Sequence, residues 1–101
     1  MWLLVMFDVP VKTATNKRDY ARFRKTLIKT GFTRLQYSVY ARHCVDERKT
    51  EKYKRVLRDI IPAEGHVRFM LLTDHQFGRA ENYYGKMLQE VEEPLPQLLL
   101  F

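Results

Sequence analysis

The sequence predicts an α+β fold of the ferredoxin-like β-α-β-β-α-β type, and three observations carry that expectation. Trp2–Phe7 is apolar at every position, as a central strand of a covered sheet would be. The apolar period then turns helical, shifts to two over Phe32–Cys44 and turns helical again after Asp46. A β-rich run, Val67–Thr73, closes the series. Strand, helix, split strand, helix, strand is the order of a sandwich with both helices on one sheet face.

The first strand ends where Asp8 meets Val9-Pro10, because proline has no N–H to give to a ladder. Val11–Asn16 reads as a polar loop, with Asn16 as N-cap of the first helix and Asp19 at its third position. Tyr20, Phe23 and Leu27 recur at helical spacing, and Gly31 supplies the stop. Arg18, Arg22, Lys25 and Lys29 form a cationic stripe opposite that apolar face. In Phe32–Cys44, Leu35, Tyr37, Val39 and Ala41 alternate against Gln36, Ser38, Tyr40 and Arg42, as one long strand or two with a kink near Tyr37-Ser38. Asp46 caps the second helix, whose Tyr53, Val56, Leu57, Ile60 and Ile61 form the expected buried face before Pro62 ends it.

With 101 residues the chain is expected to make a single domain, its core over about residues 1–74 and an extension over 75–101. Phe77–Lys86 reads as a loop with a helical turn, and two prolines forbid a regular element in Val91–Pro96. Gln97–Phe101 is strongly apolar. It could add a strand to a partner's sheet edge or fold over its own sheet. The lone Cys44 excludes an internal disulfide framework and a cysteine-rich zinc site, which suits a reducing, cytoplasmic setting and a packing role. Trp2–Phe7 is too short to span a bilayer and lacks signal-peptide flanks, so no membrane partner is expected.

The formal charge is +6, and Lys12–Arg42 holds nine Lys or Arg against the single acid Asp19. Such a one-sided field points to a polyanion, most simply nucleic acid, although a solvated basic surface would carry the same count. Asp8 is the best candidate for chemistry, since an ionised carboxylate at a rigid strand end must be solvated, paired or coordinated to a metal. It could equally brace a loop. One aspartate is a poor magnesium site, but two copies whose strand ends meet would supply two carboxylates to one cation and a phosphodiester. His43, His66 and His75 lie on separate segments without metal-ligand spacing and read as surface or hydrogen-bonded residues. Cys44 beside His43 is no nucleophile pair, because neighbours in a strand face opposite ways. Of the aromatic residues, Tyr40, on the strand face with Arg42, is expected nearest a ligand, with packing favoured over base stacking.

Leu3-Leu4-Val5-Met6-Phe7-Asp8-Val9-Pro10, the basic first helix and then Gly31-Phe32-Thr33-Arg34-Leu35-Gln36-Tyr37-Ser38-Val39-Tyr40 resemble CRISPR-associated protein two, the small nuclease family of the adaptation module. The similarity runs through the second helix into Val67–Thr73. The tail, with Asp74-His75-Gln76-Phe77 and Gln97–Phe101, is similar to members that accompany single-effector (type II) systems. The resemblance implies a homodimer in which the C-terminal strand joins the partner's sheet, so that Asp8, Leu98, Leu99, Leu100 and Phe101 lie at the interface. It implies that Asp8 is the catalytic and metal-binding carboxylate, with magnesium or manganese bridging it and its mate.

It further implies a role beside the CRISPR integrase, where the dimer bridges integrase subunits and holds duplex DNA for insertion, and a ribonuclease or deoxyribonuclease activity. Lys12, Lys17, Arg18, Arg22, Lys25, Arg34 and Arg42 are the expected nucleic-acid contacts. Arg34 matches a family basic position closely, whereas Arg18 and Arg22 match only approximately. The residue before the carboxylate, often tyrosine in the family, is Phe7 here. Two other readings remain: a non-catalytic DNA-binding scaffold with a structural Asp8, and a toxin-like ribonuclease on the same fold, as in the virulence-associated protein D family.

Overall fold

The computed structural model describes residues 1–89. The expected strand at Gln97–Phe101, with the interface residues Leu98, Leu99, Leu100 and Phe101, lies outside the described residues. A four-stranded sheet has β1 (Trp2–Asp8) inside it, paired antiparallel to β3 (Val39–His43) and to β4 (His66–Leu72), with β2 (Thr33–Gln36) outside β3. Two helices, α1 (Ala14–Lys29) and α2 (Glu47–Arg58), complete the expected β-α-β-β-α-β order. Leu3, Val5 and Phe7 point into a core with Phe23 and Leu27 of α1 and Leu57 of α2, so both helices lie on one sheet face. None of the described helices is long and apolar enough to cross a membrane.

α1 begins earlier than its sequence suggests. Thr13, not Asn16, is the N-cap: its hydroxyl accepts from the Asn16 N–H at 3.0 Å, and the Asn16 side-chain oxygen accepts from the Thr13 N–H at 3.3 Å. This reciprocal pair satisfies two otherwise orphan donors, which a cap at Asn16 alone could not do. The helix stops as expected, with Gly31 at φ +88 just past the Thr30 cap. Arg42 closes that end, donating from Nη1 to the Thr30 carbonyl at 2.8 Å and lying 4.5 Å above the Tyr53 ring. A cation at a helix C-terminus is favoured there by the macrodipole.

The β2–β3 kink is a hairpin turn at Tyr37-Ser38, where Ser38 takes φ +135. The alternation is as expected, and the structure shows which face is inward. Tyr40 and Arg42 share a face, and that face is the helix-covered one: Tyr40 pairs with Val5, packs 5.8 Å from Phe7 and accepts a hydrogen bond from Arg24 Nε at 3.1 Å. Tyr40 is therefore a core residue, in the packing role favoured for it over base stacking. On α2, capped by Asp46 as expected, Leu57 and Thr50 are buried. Val56 and Ile61 are not, at 41% and 39% exposed. Val56 is rotated about 100° from Leu57, and Ile61 lies beyond the Asp59 cap, out of helical phase.

Past β4 the chain forms a short helix, α3 (Asp74–Gly78), and a hairpin of β5 (Asn82–Tyr84) and β6 (Met87–Gln89) turning at Gly85. Phe77 stacks on Trp2 at 4.1 Å while His43 meets Trp2 edge-on at 5.2 Å, which buries the indole completely. The terminal amine of Met1 holds Asp74 at 2.7 Å, with His43 Nε2 at 3.2 Å from the same oxygen. The amine, and then the imidazole, hold the Asp74 carboxyl below its usual range. α3 thus covers one end of the second sheet face. The rest of that face, with Leu4, Met6, Val39, Met70 and Leu72, carries no helix among the described residues.

Candidate active site

Asp8 stands exposed at the end of β1, and among the described residues no hydrogen bond or ion pair engages its carboxylate. Its backbone is nonetheless fixed from both sides. Phe7 N–H donates to the Ser38 carbonyl at 3.1 Å, tying the β2–β3 turn to the residue before Asp8. Across the ladder to β4, Asp8 is paired directly with His66. Side chains so opposed have Cβ atoms about 5 Å apart on one face.

His66, read from sequence as a surface or structural residue, is thus the nearest titratable neighbour of Asp8 by register. The sequence held a signal for it: His66, Arg68 and Met70 alternate with Val67, Phe69 and Leu71. A strand starting at His66 and running antiparallel to one that ends at Asp8 must set those two termini opposite each other.

Two concavities meet at Asp8. One, of about 730 Å³, lies at the sheet's end and is lined by Asp8, Tyr20, Tyr37, Ser38, Glu64 and His66 together with apolar loop residues. The other, of about 330 Å³, opens on the uncovered sheet face between Met6, Asp8, Ser38, Val39, His66 and Arg68. The Tyr20 phenol is pushed above its usual value, first by burial and then by the neighbouring Tyr37 phenol. The Glu64 carboxylate receives Asn16 Nδ2 at 3.5 Å, which links the end of the helix cap to the cleft wall.

No cluster of three His, Cys, Asp or Glu side chains able to hold a metal occurs among the described residues. Among the described residues Asp8 offers a carboxylate with free lone pairs, and Glu64 lines the same larger cleft. The Asp8 carboxylate fits a hard cation only as one of few protein ligands beside waters and phosphate.

Of the expected nucleic-acid contacts, Lys12, Lys17, Arg18, Arg22 and Lys25 are exposed, the last three with Lys29 on one side of α1. Arg34 is exposed too, its guanidinium 5.2 Å from the centroid of the Tyr37 ring. Arg42 is a correction: half-buried against Thr30 and Tyr53, it serves the helix end and does not stand in the basic surface. Cys44 is buried, and burial raises its thiol, which suits an inert packing residue.

The family model described as CRISPR associated protein Cas2 matches residues 1–80, a span that runs from β1 through α3. The chain belongs to the Cas2 family. A Cas2 from Parvibaculum lavamentivorans, named a CRISPR-associated endoribonuclease, is 46% identical over 101 residues, covering all of both chains. One of the same name from Flavobacterium psychrophilum is 38% identical over 101 residues, all of this chain and 88% of that one. In structure the chain is similar to a crystal structure of Streptococcus pyogenes Cas2, with a TM-score of 0.64 and 26% identity over 83% of this chain and 100% of that one. Its Cas2 fold accounts for the antiparallel β1-α1-β2-β3-α2-β4 core, with Asp8 at the end of the central first strand.

Proposed function

We propose that this chain is a homodimeric, divalent-metal-dependent phosphodiesterase of CRISPR adaptation, whose two Asp8 carboxylates share one centre. The observation that carries this reading is the Asp8 carboxylate, unengaged among the described residues, at the rim of an apolar sheet face that none of the described helices but α3 covers. A single chain leaves Met70 at 42% exposed beside Leu4, Met6, Val39 and Leu72, and packing that face on a second copy buries it. A two-fold axis through its Asp8 end brings together the two carboxylates, with His66 and Arg68 beside each.

Two carboxylates with water and phosphate oxygens complete a site for magnesium or manganese. When bound, the cation supplies charge neutralisation at the phosphate and a more acidic water. Asp8 holds that position through its fixed backbone, and Arg68 offers a cation to the phosphate on the open-face side. The exposed ridge of Arg18, Arg22 and Lys25 on α1, with Lys12, Lys17 and Arg34, binds duplex DNA through its phosphates and so with little sequence preference. Membership of the Cas2 family supports a place beside the CRISPR integrase, with the dimer bridging integrase subunits during spacer acquisition. A scaffold with a purely structural Asp8 is disfavoured, because among the described residues that carboxylate braces nothing.

Charge on the open face tests the dimer. Met70→Glu is expected to convert the wild-type dimer to a monomer in sedimentation velocity and to abolish cleavage with it, while far-ultraviolet circular dichroism stays native. A Met70→Glu protein that remains dimeric and active removes this face from the interface. For the ridge, the double substitution Arg18→Gln, Arg22→Gln is expected to lower the slope of log binding constant against log salt by roughly 2 for duplex DNA. An unchanged slope takes α1 out of the contact.

A further inference from the structure

We infer that Tyr37, backed by Arg34, is a stacking platform for one unpaired nucleobase, so that nucleic acid enters the Asp8 cleft as a single strand or a frayed end. This rests on the phosphodiesterase reading and assigns the part of the substrate next to the scissile phosphate.

Tyr37 is 72% exposed, although it sits in a turn between strands whose neighbouring Tyr40 is fully inside the core. The turn that carries it is held in place. Ser38 is held at φ +135, with its N–H donating to the Gln36 carbonyl at 2.9 Å and its carbonyl accepting from Phe7 N–H. A side-chain-bearing residue adopts such a backbone only when its surroundings impose it, and such strain gathers at binding sites. The result is an exposed aromatic ring on a held backbone, lining the same cleft as Asp8.

The chemistry of the two concavities divides the substrate. The larger cleft contains two carboxylates, Asp8 and Glu64, and no Lys or Arg among the described residues that line it. A phosphate placed deep in it would meet like charge, whereas a neutral base would meet the Tyr37 and Tyr20 rings and, at its edge, acceptors and donors on Glu64, Ser38 and His66. Carboxylates accept well from the amino groups of bases. The smaller concavity, by contrast, contains Arg68. The phosphate therefore belongs on the Arg68 side and the base on the Tyr37 side, with Asp8 between them. A volume of about 730 Å³ is within the range of ligand sites and admits a nucleoside. A base inside an intact duplex has both faces covered by its neighbours, so stacking on Tyr37 needs a base freed from the helix interior, in a single strand or at a strand end. The Arg34 guanidinium over the ring adds cation–π character to that platform.

The test separates base stacking from catalysis by measuring binding in the Asp8→Asn background. The probes are a short single-stranded oligoribonucleotide carrying 2-aminopurine and a blunt, fully paired DNA duplex. The expected results are quenching of the 2-aminopurine on binding, a loss of affinity for the single strand of about 5- to 100-fold on Tyr37→Ala, rescue by Tyr37→Trp, and unchanged duplex affinity. Equal losses for both probes, or none for either, overturn the platform. If the wild-type chain proves to cleave nothing, the phosphodiesterase reading fails while quenching still reports on Tyr37. If cleavage depends on Asp8 but Tyr37→Ala leaves quenching intact, the platform fails alone.

Discussion

Asp8→Asn is expected to lower phosphodiester cleavage by on the order of 10³-fold or more, roughly 4 kcal/mol of barrier, with the dimer and duplex binding intact. Asparagine keeps the shape of aspartate and removes the charge that a divalent cation needs. The fold should not notice, because among the described residues the Asp8 side chain is exposed and has no partner to lose; substitutions of this kind usually stay within about 0.5 kcal/mol. The comparison is made on single-stranded RNA and on duplex DNA in matched salt with magnesium, and stability is read from urea midpoints. If the two Asp8 residues share one centre, a mixed dimer of wild-type and Asp8→Asn chains retains far less than half of the wild-type rate. Cleavage unchanged in Asp8→Asn would mean that the reaction does not occur at this residue. A half-active mixed dimer would mean two independent sites.

Why Asp8 could be read from the sequence, and its surroundings less so, follows from what each depends on. An all-apolar run closed by Asp-Val-Pro fixes a strand, its end and a carboxylate using local rules alone. The same is true of Gly31, where the backbone demand shows in residue type, whereas Ser38 at φ +135 carries no such signal. The position of His66 opposite Asp8 depends on register between strands nearly 60 residues apart in sequence, which emerges only when the two strands are aligned by their ends.

Arg42 and Tyr40 show a different limit. Alternation puts them on one face but does not say which face the helices cover, and here two polar-tipped side chains are the inward ones. The helix start was displaced because Thr13 and Asn16 both suit a cap, and only the reciprocal bonding selects Thr13. The β5–β6 hairpin leaves Tyr83, Tyr84, Met87 and Leu88 exposed, so no buried face imposed a period on its sequence.

Gly31→Ala is expected to be the most damaging small substitution in the described chain, lowering the folding free energy by about 3 kcal/mol. Two costs coincide at this position. At φ +88 the backbone is in the left-handed region, where an L side chain is strained by about 1–2 kcal/mol. A Cβ there would also stand 1.7 Å from Arg42 Nη1 and 2.9 Å from its Cζ, so the guanidinium must leave. Long side chains usually yield at small cost, but this one donates to the Thr30 carbonyl and stacks on Tyr53. Displacing it takes from the α1 C-terminus one cation, leaving Lys29, and a charged hydrogen bond, a class of interaction worth roughly 1.5–3 kcal/mol.

The two contributions can be separated by a double-mutant cycle with Arg42→Ala. In that background Gly31→Ala should cost only the backbone strain, so its effect falls toward about 1–2 kcal/mol. Urea denaturation at a fixed chain concentration, necessary because dimerisation adds to apparent stability, provides the four values. A cycle with no coupling would show that Arg42 relocates freely and that Gly31 is required for its backbone angle alone. A Gly31→Ala protein as stable as wild type would refute both costs and, with them, the account of how α1 is stopped and its basic ridge held in line with Asp8.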